Sequence, residues 1–137
     1  MLGRKIDSGQ NRGDSYLARI YIADDDMHYV EAFRAGLSAF GHIVDAVASG
    51  DTVIEDLGRT AYDIVFLDVV MPGGGAISLV HKIRARFDNL PIVVMTGHAE
   101  LFEAPVFRDG FQLANARIRK STSLLEIKAL VDTLSVR

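Results

Sequence analysis

The chain has no cysteine, which removes disulfides, thiolate metal centres and cysteine nucleophiles in one step. The redox compartment stays open, because a cysteine-free chain fits the cytosol without requiring it. A surplus of one charge is lacking too: 15 Lys and Arg against 18 Asp and Glu give a formal net charge of −3. General binding to a phosphate backbone needs a broad basic surface, so no direct nucleic-acid partner is expected. No apolar run approaches the ~20 residues that span a bilayer, and Met1 to Tyr16 holds no apolar block of the signal-peptide kind. The expectation is a cytoplasmic chain without membrane insertion.

What is present suits one compact domain: 137 residues, 49% hydrophobic and 24% charged. Residues 1–17 are polar, glycine-containing and aperiodic, and they read as a flexible arm ahead of a folded domain over 18–137. From Ala18 short apolar runs alternate with segments of helical period, the signature of a parallel α/β fold. The runs Ile20 to Ala23, Ile64 to Leu67 and Ile92 to Met95 are continuous, as in strands covered on both faces. Val30, Phe33, Leu37 and Phe40 keep helical spacing up to Gly41, a stop signal, and a weaker strand follows over Ile43 to Val47. A shorter helix is expected over Asp51 to Arg59. Ile77, Val80, Ile83 and Phe87 mark another helix, and Leu124, Ile127, Val131 and Leu134 a last one, with Ser121, Thr122 or Ser123 as its cap. Between them Pro105 and Gly110 interrupt residues 97–115, which predicts a short or distorted fourth helix. A fifth strand is expected over Ala116 to Arg119.

In an open parallel sheet ligands bind beyond the carboxyl ends of the strands. The residues placed there are Asp24, Asp25 and Asp26 after the first strand, Asp68 after the third, Thr96 after the fourth and Lys120 after the fifth. Carboxylates on neighbouring loops repel one another, so they either raise a pKa or hold a cation, and hard oxygen ligands favour Mg²⁺. A carboxylate beside such an ion can act as nucleophile toward a phosphoryl group, and Asp68 is the candidate. Lys120 would offer a point charge to a phosphoryl oxygen and Thr96 a hydroxyl hydrogen bond. Arg117 and Arg119 lie close enough that a register change would swap the inward cation. Asp26 reads as the cap of the first helix.

The segments Ile22-Ala23-Asp24-Asp25, Tyr62-Asp63-Ile64-Val65-Phe66-Leu67-Asp68-Val69-Val70-Met71-Pro72-Gly73 and Pro91-Ile92-Val93-Val94-Met95-Thr96, with Lys120, resemble the receiver domains of bacterial two-component response regulators. The resemblance covers about Ala18 to Leu134, and its most specific block is the apolar strand running into Asp-x-x-Met-Pro-Gly. It implies a three-layer, flavodoxin-like, doubly wound fold with a five-stranded parallel sheet in the order 2-1-3-4-5. It further implies that Asp68 accepts a phosphoryl group from a sensor histidine kinase or a histidine phosphotransfer protein. Mg²⁺ would be held by Asp25 directly, by Asp24 through water, by Asp68 and by the Val70 carbonyl, with Thr96 and Lys120 on the phosphate. Such a module signals to a downstream protein. It is no enzyme beyond gaining and losing its own phosphate, and homodimerisation is left open.

Four positions depart from the commoner pattern of that family. Arg117 stands where a switch aromatic is usual, and a long cation does not bury as a tyrosine does. Ser121 replaces a proline after the lysine, so a trans bond is expected. Gly97 follows Thr96, and Pro105 interrupts the fourth helix. The cluster is similar to that of atypical alphaproteobacterial single-domain receivers, which carry Thr-Gly after the fourth strand. Two other functions compete. A phosphate-independent receiver-like binding module draws on the altered half, and a small aspartate-nucleophile phosphohydrolase draws on Asp24-x-Asp26, although His28 stands where that type has threonine or valine. His28, His42, His81 and His98 show no metal-ligand spacing and are expected at surface or half-buried positions, with His98 a candidate for the site mouth. Gly73-Gly74-Gly75 lacks the Lys-Ser/Thr ending of a phosphate loop and reads as a turn.

Overall fold

The continuous apolar runs form the middle of a five-stranded parallel sheet. The computed structural model describes residues 4–5, 16–72 and 75–135. Its sheet strands are β1 (Arg19–Ala23), β2 (Ile43–Val47), β3 (Ile64–Asp68), β4 (Ile92–Thr96) and β5 (Ala116–Arg119), in the order β2-β1-β3-β4-β5. The helices are α1 (Met27–Ala39), α2 (Val53–Arg59), α3 (Ala76–Arg86), α4 (Pro105–Gly110) and α5 (Leu124–Ser135). The doubly wound α/β order is therefore as expected. Of the arm expected over 1–17, Arg4–Lys5 and Tyr16–Leu17 pair antiparallel in a separate two-residue ladder; its other residues up to Ser15 lie outside the described residues, as do Gly73 and Gly74.

Side chains alternate across a strand, so each unbroken run feeds two cores. Ile20, Ile22, Ile64, Phe66, Val93 and Met95 meet Val30, Phe33 and Leu37 of α1 and Ile127 and Val131 of α5. Tyr21, Ala23, Val65, Leu67 and Val94 face α2, α3 and the buried ring of Phe111. Phe33 stands edge-on to Phe66 with ring centroids 5.0 Å apart.

Helix ends follow local chemistry. Asp26 accepts from Tyr29 N at 3.2 Å and opens α1. The helix closes when Gly41, at φ +95°, lets its own N–H reach Ser38 O at 2.9 Å and that of His42 reach Leu37 O at 3.2 Å. Phe40, expected in the buried stripe, is instead the cap residue and 37% exposed, its ring lying 5.2 Å from Lys128 Nζ. Of the three cap candidates for α5, Ser123 serves: its Oγ accepts from Glu126 N at 3.2 Å, and Glu126 Oε1 accepts from Ser123 N at 3.2 Å.

The fourth helix is short, as expected. A 3₁₀ turn over Ala99–Glu103 precedes it, and Pro105 opens α4 at its first position, where a missing N–H costs nothing, rather than breaking it. Arg84 closes the far end of the sheet. Its Nη1 donates to Phe87 O, Asp88 O and Leu90 O at 3.2, 2.9 and 2.8 Å, and its Nη2 to Leu113 O and Asn115 Oδ1 at 3.0 Å each.

Candidate functional site

Strand register assembles the site. Ala23 pairs with Leu67, so Asp24 and Asp68 follow side by side; Asp68 pairs with Met95, which puts Thr96 one step beyond; Thr96 pairs with Arg119, which does the same for Lys120. The ladders continue past the strand ends through Asp24 N to Val47 O at 3.0 Å, Val69 N to Met95 O at 2.9 Å and Lys120 N to Thr96 O at 2.9 Å. Four candidate side chains, Asp24, Asp68, Thr96 and Lys120, thus arise at the ends of four neighbouring strands.

Carboxylate oxygens of Asp24, Asp25 and Asp68 lie within 4.8 Å of one another. Asp24 and Asp68 are buried and Asp25 is exposed. Asp24 Oδ1 accepts from Asp26 N at 2.9 Å. Asp24 Oδ2 faces the Lys120 ammonium at 2.7 Å and, beyond that ion pair, has no hydrogen-bond partner although fully buried. Burial first, then the charge of Asp24, pushes the Asp68 carboxyl up to about 6 against the pull of Lys120, which stands 3.5 Å away. Too little positive charge therefore balances the carboxylates. An under-partnered buried oxygen and three hard donors, one open to solvent, fit a small divalent ion that keeps some of its waters.

Burial alone would lower the Lys120 pKa, but its bond to Asp24 and the charges of Asp24, Asp68 and Asp26 raise it above the ordinary value. Lys120 is the inward cation, while Arg117 and Arg119 point out and are exposed. Arg117, at the position of the usual aromatic, donates from Nη2 to Arg108 O at 3.2 Å and so lies along α4. The Lys120–Ser121 bond is trans. Buried Thr96 turns to its own loop: its Oγ1 accepts from His98 N at 2.9 Å and stands 3.4 Å from His98 O. Val70 follows in the bend after β3 and is 64% exposed. Asp26 is exposed and caps α1, outside the group of three.

Among the histidines, His28, His81 and His98 are exposed, and His98 donates its backbone N–H to Thr96 Oγ1. His42 departs from expectation, being 4% exposed. Its Nδ1 accepts from Ala18 N at 3.0 Å, and burial lowers its pKa, so the ring is a structural acceptor.

The sequence reading missed Tyr29. Its ring centroid lies 5.0 Å from Lys120 Nζ, and burial, then the charges of Asp24 and Asp68, push its hydroxyl up to about 12. The available signal was its place in the first turn after the acidic run, one helical turn before Phe33.

The family model described as Response regulator receiver domain matches residues 20–131. The chain belongs to the response regulator receiver family. This receiver is 29% identical over 120 residues to the transcriptional regulatory protein QseB of Escherichia coli O157:H7, covering 87% of the chain and 53% of that protein. It is 33% identical over 87 residues to the response regulator FleR of Pseudomonas aeruginosa, covering 64% of the chain and 18% of that protein. The receiver thus spans only about a fifth to a half of these curated relatives. Among solved structures, the response regulator TrrA of Thermotoga maritima, in complex with Mg²⁺-BeF, superposes with a TM-score of 0.77 at 24% identity, covering 86% of this chain and 99% of that one. A putative response regulator from Chloroflexus aurantiacus gives 0.77 at 25% identity, over 88% and 99%. The receiver domain is thus a signalling module of two-component systems with the fold expected of it. Among the described residues no helix is long and apolar enough to cross a membrane.

Proposed function

We propose that this receiver accepts a phosphoryl group on Asp68 from a phosphohistidine of a sensor kinase or phosphotransfer protein and passes the message by protein contact. The observation that carries the reading is the convergence of Asp24, Asp25 and Asp68 within 4.8 Å with the Lys120 ammonium against them. Asp24, Asp25, Asp68 and the Val70 carbonyl would hold Mg²⁺. Bound there, the ion would supply neutralisation of the clustered carboxylates and of the transferring oxygens.

The chain's own groups do the rest. Asp68 sits at the end of a strand held by ladders on both sides, so its carboxylate is aimed with little freedom to lose. A bond forms between a carboxylate oxygen and phosphorus while the P–N bond to histidine breaks, its electron pair leaving on the imidazole nitrogen. Lys120, now paired with Asp24 and Asp68, would move its charge to a phosphoryl oxygen. The Thr96 hydroxyl donates only weakly at 3.4 Å, so its proton is free to turn to the same group. That turn would loosen the His98 loop leading to α4, and Arg117 ties α4 to β5. Copying the usual aromatic switch onto this half has no support, because Arg117 points outward.

The phosphohydrolase alternative is disfavoured by the use of Asp26 as a helix cap. A binding module indifferent to phosphate draws on Arg117. The experiment is phosphoryl uptake from a histidine kinase with Mg²⁺, in wild type and Asp68→Asn of proven fold. Uptake lost in Asp68→Asn supports the proposal, and equal uptake overturns it. A partner bound equally well by phosphorylated wild type and Asp68→Asn would favour the binding module.

A further inference from the structure

Lys120 is bounded on two sides by different chemistry. Asp24 and Asp68 lie 2.7 and 3.5 Å from its ammonium, and the Tyr29 ring centroid stands 5.0 Å away. A cation within ~6 Å of an aromatic centroid is held by the ring's quadrupole, more strongly where water is partly excluded. The Lys120 side chain is 17% exposed. Tyr29 is itself fixed: its ring packs 6.1 Å from that of Phe33, and its hydroxyl lies 3.8 Å from Met95 Sδ. Its backbone N–H is tied to Asp26, the cap of α1. Beyond ring and ammonium opens a cleft of about 370 Å³ between α1 and α5, lined also by Phe33, Thr122 and Leu124.

Lysine carries its charge on four rotatable carbons, so the charge needs a seat. Carboxylates alone are a poor one, since a divalent ion shared by the same carboxylates would weaken their hold on the ammonium. A neutral ring face attracts the cation, offers no ligand to the ion and forms no bond to phosphate. We propose that Tyr29 is a positioning residue whose ring seats the Lys120 ammonium at the edge of the acidic cluster, within reach of the phosphoryl group on Asp68. The inference rests on the reading of Asp68 as the phosphoacceptor.

The test replaces Tyr29 in the full chain by Phe, by phenylalanines of rising fluorine content, and by Leu. Fluorine drains the quadrupole at nearly constant ring size, whereas a merely steric role depends on size alone. The readouts are the rate of Asp68 phosphorylation by acetyl phosphate with Mg²⁺ and the ring-current displacement of the Lys120 side-chain protons in the unphosphorylated protein. Tyr29→Phe is expected to stay within about twofold of wild type, the fluorinated series to slow step by step, and Tyr29→Leu to lose about tenfold. The ring-current displacement should persist in Phe and vanish in Leu. Equal rates across the fluorinated series, or no ring-current displacement in wild type, overturns the inference. Should Tyr29→Leu not fold, the fluorinated series decides alone. Asp68→Asn run beside them separates the two claims: labelling equal to wild type sinks both, and lost labelling with a flat series sinks only the role of Tyr29.

Discussion

Charge on Asp68 works against the metal-free fold. Its folded pKa of about 6 lies above the ordinary 3.8, so its contribution to stability is fully present below pH 3.8 and is lost as pH rises through about 6. At 1.36 kcal/mol per pH unit that interval amounts to about 3 kcal/mol, an order-of-magnitude upper value. Asp68→Asn keeps the shape and removes the charge. At pH 7.5 and without divalent ions it is expected to be more stable than wild type by up to about 3 kcal/mol, on the order of 10 °C in melting temperature for a domain of this size. Urea titrations of both proteins from pH 4 to pH 8 check this. The advantage of Asp68→Asn should be small near pH 4, grow up to about pH 6 and then level off. Millimolar Mg²⁺ should raise wild type and leave Asp68→Asn nearly unmoved, because linkage acts only through the ion's preference for the folded carboxylates. A variant no more stable than wild type at pH 7.5, or an advantage independent of pH, would refute the reasoning.

Three further expectations concern what holds the fold together. His42→Ala should cost about 1–3 kcal/mol at pH 7.5, read by urea denaturation, because it leaves the buried Ala18 N–H without its acceptor. The folded pKa of His42 lies below 6.5, so the stability it contributes is present above pH 6.5 and lost as pH falls; wild type should weaken toward pH 5 relative to His42→Asn. Arg84→Leu should cost about 2 kcal/mol or more by the same assay, since four carbonyls and the Asn115 side chain lose a charged donor. Gly110→Ala would bring a methyl to 2.6 Å from Ile77 Cδ1 and 2.9 Å from Cγ1, and forcing α4 from α3 should cost about 1–3 kcal/mol in thermal melts.

The parts of the fold legible in the sequence were those fixed by local pattern. Unbroken Ile/Val runs announced strands covered twice, and Asp26 and Gly41 marked the ends of α1 because a cap acts within a few residues. The acidic cluster was legible because Asp24 and Asp68 each directly follow an apolar run, so register brings them together, and Asp25 comes next after Asp24. Other features depended on distant partners. Phe40 fitted the stripe by spacing, yet the helix ends one residue earlier and puts its ring over Lys128. His42 gave no sign of burial because its partner, Ala18 N, lies 24 residues away. Tyr29 looked like an ordinary helix residue until β5 delivered Lys120 to its ring. Pro105 interrupts the pattern in the sequence, whereas the turn before it makes it a starting residue.

The most direct test of the central claim is to locate the phosphoryl group itself. The chain is incubated with acetyl phosphate and Mg²⁺, the acyl phosphate is trapped by reduction, and the peptides are read by mass spectrometry. The account expects modification at Asp68 alone and only with the divalent ion present. Modification at Asp24 or Asp25, or none under conditions in which a known receiver is labelled, would contradict it.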